Sequence, residues 1–474
     1  MNHKLPTLLV AILPIALLIA LLAANVITFG DDALSYANQI ALLISTAVAG
    51  VIGLLHKRTY ADLIEGVSDN IHKAVPAIMV LLLIGALAGS WLISGVIPAM
   101  IFYGLKILHP SIFLFACCVI AAIVSLASGS SWGTIATVGI ALLGIGKTMD
   151  FNVGLVAGAI ISGAYFGDKM SPLSDTTNLA PAVSGTDLIS HIRYMTITTF
   201  PSMAITLLIF LVIGFVQSPD ALGNEIDIVN AELQSRFNLN PLLFLAPAAV
   251  IVAISRRIPA IPSIAIGAMT GILLAFVFQQ PMLSSLEEAN SVSSYALVLQ
   301  ALGSDLGIPA NNPVLADLLS TGGMKGMLNT VWLILCAMAF GGVMERSGCL
   351  TVITQSLLKL ATGRTSLIGT TAMSSVIMNF TASDQYLAIV VPGKMFEQAY
   401  HDRKLHAVNL SRTLEDAGTV TSVLIPWNTC GATQAGVLGV ATAVYWPFCF
   451  FCLISPVMTL AVAAFNYRIK TTEQ

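Results

Sequence analysis

Only 9 % of the 474 residues are charged, whereas a soluble globular domain carries about 25 %. With 56 % hydrophobic residues and a mean hydropathy of +0.87, the chain cannot cover a water-facing surface with polar groups. This composition excludes an ordinary cytosolic enzyme, and a net charge of −3 gives no basic surface for nucleic acid, so we expect a multi-spanning membrane protein.

Long apolar runs predict the membrane spans, because a helix needs roughly 20 residues to cross a bilayer. Two interrupted runs, 110–147 and 365–400, are predicted to be re-entrant hairpins. The run at 5–29 is too long for the apolar part of a signal peptide and is predicted to be a retained span. We therefore predict one all-α transmembrane domain over 1–474. Its ten spans lie at 5–29, 37–55, 75–97, 151–180, 190–216, 241–256, 259–279, 326–345, 404–434 and 438–466.

The distribution of basic residues supports this count. With a cytoplasmic N-terminus, sixteen of the 21 Lys and Arg residues, from Lys4 to Lys470 and including Arg412, fall in cytoplasmic segments and four fall outside. Lys169 lies inside a predicted span. The acidic pairs Asp31-Asp32 and Glu287-Glu288, together with Asp220, fall outside. The pattern predicts that both termini are cytoplasmic.

The order of predicted elements occurs twice. Residues 75–216 and 326–466 each read as a span, a short helix, a hairpin, an interrupted span and a span. An offset of 253 residues aligns Gly95 with Gly348 and Ser130 with Ser383. We predict two inverted five-span repeats, 1–216 and 241–470, with an outside linker at 217–240 and an outside loop at 280–325. Inverted repeats with broken helices are typical of secondary transporters, which bind substrate near the bilayer midplane.

Small polar residues cluster at four predicted helix breaks, two in each half. Pro172, for example, disfavours helix at the preceding residue and removes a backbone donor. Freed carbonyls beside side-chain oxygens suit hard cations such as Na⁺. The candidate ion- or substrate-binding residues are Ser128, Gly129, Ser130, Ser131, Asp168, Ser171, Asp175, Thr176, Thr177, Asn178, Asn379, Thr381, Ser383, Asp384, Asp416, Thr419, Asn428 and Thr429.

Four of these residues are candidates for proton coupling. Removal from water favours the protonated form of a carboxyl group, and a bound cation favours the charged form, so a proton and Na⁺ compete for one site. The candidates are Asp168, Asp175, Asp384 and Asp416, with Lys169 as an internal counter-ion. No Arg or His is expected at the midplane. Two blander interpretations stay open: a Ser/Gly packing interface at the hairpin turns, and a cytoplasmic loop after a span that ends at Gly167.

Three runs resemble a known family. They are GAYFGDKMSPLSDTTNLA at 163–180, LEDAG at 414–418 and PWNTCG at 426–431. These runs are similar to the NhaC family of sodium/proton antiporters, within the ion-transporter superfamily, and the similarity spans most of the chain. The resemblance implies inverted five-span repeats with two hairpins, and Na⁺/H⁺ exchange in a bacterial cytoplasmic (inner) membrane.

The cargo is left open by the resemblance. Relatives of this family include a malate/lactate exchanger and carriers proposed for amino acids, so a sodium- or proton-coupled carrier of a small organic acid or amino acid is the alternative. We expect no enzyme activity, since an intramembrane aspartyl protease needs GxGD and Tyr165-Phe166-Gly167 precedes Asp168 instead. No cofactor is expected. The expected partners are Na⁺, H⁺ and the lipid bilayer, with a homodimer as a possible assembly.

Overall fold

The computed structural model describes residues 5–29, 36–217 and 223–472, and these ranges are almost entirely helical. Within them, seven helices are long and apolar enough to cross a membrane, or up to nine if each of two bent helix pairs is one span. The predicted all-α, multi-pass architecture is confirmed. The predicted loop charges at Lys4, Asp31, Asp32 and Asp220 lie outside the described residues.

The first half contains a helical hairpin and a broken helix. Helix α3 begins well before the predicted span at 75, because Thr59 and Asp62 form a capping box, with hydrogen bonds of 2.9 and 3.1 Å. The elements are α1 (Leu8–Phe29), α2 (Ala37–Leu55), α3 (Tyr60–Ile93), α4 (Val96–Ile107), α5 (Pro110–Ser128), α6 (Ser131–Thr134), a π-helix (Ile135–Gly139), α7 (Ile140–Thr148), α8 (Val153–Met170), α9 (Asp175–Ser184) and α10 (Leu188–Val216).

The predicted linker at 217–240 and the predicted loop at 280–325 both contain helices. The segments before and after residue 240 form one of the bent pairs, with an angle of 91°. The elements are α11 (Gly223–Arg236), a 3-10 turn (Pro241–Phe244), α12 (Leu245–Ser255), α13 (Ala260–Phe278), α14 (Gln280–Asn290), α15 (Ser294–Gly303), β1 (Leu306–Gly307), α16 (Pro313–Leu318), β2 (Ser320–Thr321) and α17 (Gly323–Gly326). Strands β1 and β2 pair antiparallel, with Leu306 opposite Thr321.

The second half follows the element order of the first. Its elements are α18 (Leu328–Arg346), α19 (Cys349–Leu358), α20 (Arg364–Thr381), α21 (Gln385–Asp402), α22 (Ala407–Leu414), a π-helix (Glu415–Thr419), a 3-10 turn (Ser422–Leu424), α23 (Thr429–Leu438), α24 (Thr442–Tyr445), a 3-10 turn (Trp446–Phe448) and α25 (Phe450–Ala464). Gly95 and Gly348, aligned by the offset of 253, both have positive φ (+77° and +83°) and precede the short helices α4 and α19. The inverted orientation of the two halves stays a prediction.

Packing brings the two halves together at their breaks. Helix α5 packs along α8 and α10, and α20 packs along α21. Helix α9, which follows the break in the first half, packs against α21, α22 and the π-helix Glu415–Thr419 of the second half. The first broken helix therefore lies directly against the second hairpin and the second broken helix.

Candidate functional site

Asp168, in the last turn of α8, contacts the turn of the first hairpin. Its carboxylate accepts hydrogen bonds from the backbone amide of Ser131 at 3.2 Å and from the Ser131 hydroxyl at 2.6 Å. The turn is tight because Gly129 has φ +69°, and a Cβ there would lie 2.6 Å from the Leu173 Cβ. Ser130 then caps the returning helix by accepting from an amide at 3.0 Å. The first hairpin turn and the first break form one cluster.

Side chains that follow the first break already hydrogen-bond its carbonyl groups. The Thr177 hydroxyl lies 3.2 Å from the Asp168 carbonyl oxygen and 3.0 Å from that of Lys169. The Asn178 side-chain amide donates to the Pro172 carbonyl at 2.9 Å. The sequence argument expects these carbonyls to be free for a cation, and in this structure they are not.

Asp175 and Asp384 lie at the starts of two helices that pack against each other, α9 and α21. Asp175 is exposed at the start of α9. Asp384 is half-buried and caps α21, accepting from the amides of Tyr386 at 2.9 Å and Leu387 at 3.0 Å. The first break and the turn of the second hairpin therefore approach each other here.

Asn379 links the second hairpin to both sides of the second broken helix. Its side-chain nitrogen donates to the Gly418 carbonyl at 2.6 Å and to the Thr421 hydroxyl at 3.0 Å. Its side-chain oxygen accepts from the Asn428 amide at 3.0 Å. Asn428 in turn caps α23 by accepting from the backbone amide of Cys430, also at 3.0 Å. The buried side-chain amides of Asn379 and Asn428 therefore fix the geometry of the second break.

The other predicted residues of the second half differ in what they contact. The Thr429 amide donates to the Ser383 carbonyl at 2.9 Å, across the gap between break and turn. The Thr381 hydroxyl bonds back to the Ile377 carbonyl of its own helix at 2.8 Å. The hydroxyls of Ser383 and Thr419 are buried and have no hydrogen-bond partner within the described ranges. Those two oxygens are available to a ligand.

In the first half, Ser128, Ser171 and Thr176 make short-range hydrogen bonds. The Ser128 hydroxyl lies 3.4 Å from the Thr134 hydroxyl, and the Ser171 hydroxyl accepts from the Leu173 amide at 3.3 Å. The Thr176 hydroxyl lies 3.2 Å from that of Ser174. Each of these contacts shapes its own turn or break.

Asp416 lies within a network of buried polar contacts. It lies in the π-helix Glu415–Thr419 and is fully buried. Its carboxylate forms an ion pair with Lys169, also fully buried, and accepts hydrogen bonds from Thr198 at 3.1 Å, from Ser455 at 3.3 Å and from Thr459. The Lys169 ammonium donates to Ser455 as well, at 3.1 Å. The two broken helices therefore meet at one ion pair, enclosed by α10 and α25.

A second buried cation lies beside Asp416. Arg412 is fully buried, its Nε is 3.7 Å from the Asp416 carboxylate, and its guanidinium lies 4.8 Å from the centre of the Tyr194 ring. Arg412 lies one helical turn before Asp416 and so faces the same side of the helix. The expectation of no Arg at the midplane stays a prediction. Within the described ranges, none of the three Arg412 nitrogens and neither carboxylate oxygen of Glu415 has a hydrogen-bond partner.

Sequence reasoning missed the residues that surround the ion pair. His191 is fully buried, with Nδ1 2.8 Å from the Ser411 hydroxyl. Helix α10 also carries polar residues at every fourth position, a spacing that places them on one face. They are Thr198, Ser202 and Thr206, all fully buried, and α25 repeats the spacing with Ser455 and Thr459. A search for such polar stripes in apolar spans would have found them.

A cavity of about 450 Å³ lies on the other side of the second break. It is lined by small side chains of α23 and α24, with Asn329 and Thr330 of α18 as its polar side chains and Pro426 at the break. None of the candidate binding residues lines it. It lies next to the site without forming part of the ion-pair network.

The sequence profile of the Na⁺/H⁺ antiporter family matches residues 163–467. The Na⁺/H⁺ antiporter NhaC of Alkalihalophilus pseudofirmus is 37 % identical over 444 residues, which cover 94 % of this chain and 93 % of that protein. The chain belongs to the Na⁺/H⁺ antiporter family. The part that matches the family profile includes both helix breaks, the second hairpin and the residues that contact Asp416.

Relatives of this antiporter-family chain have several names. The malate-2H⁺/Na⁺-lactate antiporter of Bacillus subtilis is 34 % identical over 453 residues, covering 95 % of this chain and 93 % of that protein. The arginine/ornithine antiporter ArcD of Halobacterium salinarum is 32 % identical over 465 residues, covering 97 % and 92 %. Membership in the family indicates a transporter rather than a catalyst.

Proposed function

We propose that this protein exchanges Na⁺ for H⁺ by alternating access in the cytoplasmic (inner) membrane of a bacterium, with both termini in the cytoplasm. The observation that carries the proposal is the buried ion pair between Lys169 and Asp416, at the point where the two broken helices meet. The name of the NhaC relative supports the choice of cargo.

The chemistry of Asp416 suits an exchanger of cations. A carboxylate removed from water needs a compensating positive charge, and Lys169 and Arg412 supply it here. A proton or a Na⁺ ion supplies the same compensation. Because each of these charges satisfies the same carboxylate, binding of one favours release of another, which is the requirement for coupled exchange.

Besides Asp416, we assign Na⁺ binding to the two clusters formed by a hairpin turn and a break. Asp168 with Ser131 marks the first, and the free hydroxyls of Ser383 and Thr419 mark the second. The two clusters belong to the proposed inverted repeats, 1–216 and 241–470. Asp175, exposed beside them, is placed to meet a cation that enters from water.

The test uses purified protein in liposomes that contain a pH-sensitive dye. A gradient of NaCl should move protons against the Na⁺ flux, and choline chloride of equal concentration should not. A potassium-valinomycin clamp separates exchange from movement of protons in response to membrane potential. Proton movement that is the same with choline would contradict the proposal.

A second candidate is coupled transport of a small carboxylate or amino acid. The observation in its favour is Arg412, a buried guanidinium with no hydrogen-bond acceptor in the described part of the chain. Guanidinium groups bind carboxylates through two parallel hydrogen bonds, and two relatives are named for organic cargo. In the same liposomes, a pH response that requires malate, lactate, arginine or ornithine in addition to Na⁺ would favour this candidate.

A further inference from the structure

We propose that Tyr194 is a positioning residue: held by residues 466–472, here called the tail, its ring keeps the Arg412 guanidinium against Asp416 and so weakens Na⁺ binding there. This inference rests on the proposed function, because it takes Asp416 to be part of the cation path. It assigns a role in transport to the tail and to a residue of α10.

Two cations lie close to the Tyr194 ring. The Arg412 guanidinium is 4.8 Å from its centre, and the Lys470 ammonium of the tail is 5.7 Å from it. Tyr194 itself is 3 % exposed. Aromatic faces attract cations, most strongly where water is excluded. The Arg412 guanidinium therefore lies against both the Tyr194 ring and the Asp416 carboxylate, whose oxygen is 3.7 Å from Nε.

The tail fixes the position of Tyr194. The Tyr194 hydroxyl lies 2.6 Å from the Asn409 side-chain oxygen and 2.9 Å from the Arg468 carbonyl, and it donates its single proton to one of them at a time. The Asn409 side-chain amide donates to the Lys470 carbonyl at 2.7 Å, and the His406 backbone amide donates to the same carbonyl at 3.1 Å. The tail, α10 and the start of α22 thus form one junction.

The junction controls a charge that competes with Na⁺. Arg412 and Asp416 lie one turn apart, and in a buried region the attraction between them is screened far less than in water. When Tyr194 is free of the tail, the guanidinium has room to tilt away from the carboxylate. The positive potential at Asp416 then falls, and Na⁺ binds there more tightly.

The test compares three altered proteins with the wild type in the liposome assay. Tyr194→Phe keeps the ring and removes the hydroxyl, truncation after Phe465 removes the tail, and the third protein combines both changes. Tyr295→Phe is the matched control, since that ring is 68 % exposed on α15, outside both the tail and the junction. We measure the half-saturating Na⁺ concentration and the maximal rate separately.

We expect Tyr194→Phe and the truncation each to lower the half-saturating Na⁺ concentration about threefold to tenfold. The combined protein should show no further decrease, because both changes act through one junction. Tyr295→Phe should match the wild type. An unchanged half-saturating concentration in both altered proteins, or a loss confined to the maximal rate, would overturn the proposal.

Failure of the proposed function is recognised separately. If the wild type moves no protons in response to Na⁺, the proposed Na⁺/H⁺ exchange at Asp416 is wrong. The proposed effect of Tyr194 on Na⁺ binding is then wrong as well. Backbone hydrogen exchange over residues 407–414 then tests the junction itself, since it needs no transport. Faster exchange after truncation supports positioning by the tail, and equal exchange overturns it.

Discussion

Lys169 and Asp416, 247 residues apart in the chain, form an ion pair in which both side chains are fully buried. The desolvation of two such charges is expensive, and their attraction alone rarely repays it. Hydrogen bonds from Thr198, Ser455 and Thr459 contribute the remaining compensation. A site with this arrangement is suited to exchanging one positive charge for another.

The first prediction concerns the unequal roles of the two partners. Asp416→Asn leaves two buried cations without compensation and should cost about 3–5 kcal/mol of stability. Lys169→Gln should cost less, because Arg412 still lies 3.7 Å from the carboxylate. The double substitution should recover part of the loss caused by Asp416→Asn. Thermal unfolding in detergent measures all three, and Asp416→Asn as stable as the wild type would contradict the network.

The second prediction separates function from stability at Asp175. This carboxylate is exposed, so Asp175→Asn should leave the unfolding temperature unchanged. We expect the same substitution to abolish Na⁺-driven proton movement in liposomes. Asp402→Asn is the control, because its side chain is 62 % exposed on α21, away from both breaks. Equal transport rates in the two variants would remove Asp175 from the mechanism.

The third prediction tests the contact between the first hairpin turn and the first break. Gly129→Ala adds a methyl group 2.6 Å from the Leu173 Cβ at a residue with φ +69°. Gly185→Ala makes the same change at φ +74°, where the nearest atom is 3.9 Å away. Both variants should lose about 1 kcal/mol of folding stability, because alanine disfavours a positive φ. Gly129→Ala should lose further stability because of the close contact with Leu173, and it should also lose most of its exchange activity. Equal unfolding temperatures for the two variants would show that the turn and the break are not tightly packed.

Local signals in the sequence predict the elements well. The predicted span 37–55 coincides with α2, since apolar length and flanking polar residues set both ends. The two hairpins turn where small polar residues interrupt the apolar runs, at Gly129 and Ser383, both of positive φ. Helix ends and hairpin turns depend on residues that are neighbours in the chain, so a single sequence is enough to predict them.

Contacts between distant segments could not be predicted in the same way. Arg412 lies one turn before Asp416, and counting charges by segment assigns it to a cytoplasmic region. Its burial depends on distant elements that pack against α22, namely α9, α10, α20 and α21. The carbonyls at the first break were expected to bind a cation, and Thr177 and Asn178 occupy several of them instead. Whether a freed carbonyl meets an ion or a neighbouring side chain is decided by packing after the break.

The last prediction separates the two roles of Asn428. Its side-chain oxygen caps α23, and its side-chain nitrogen donates to Asn379. Asn428→Asp keeps a cap but places a second oxygen about where the nitrogen now lies, facing the Asn379 oxygen across 3.0 Å. We expect a lower unfolding temperature and loss of Na⁺-driven proton movement. Asn152→Asp is the matched control, since Asn152 caps α8 through one amide at 3.0 Å and is exposed. If the two variants melted and exchanged alike, the link between Asn428 and Asn379 would have no part in shaping the second cluster.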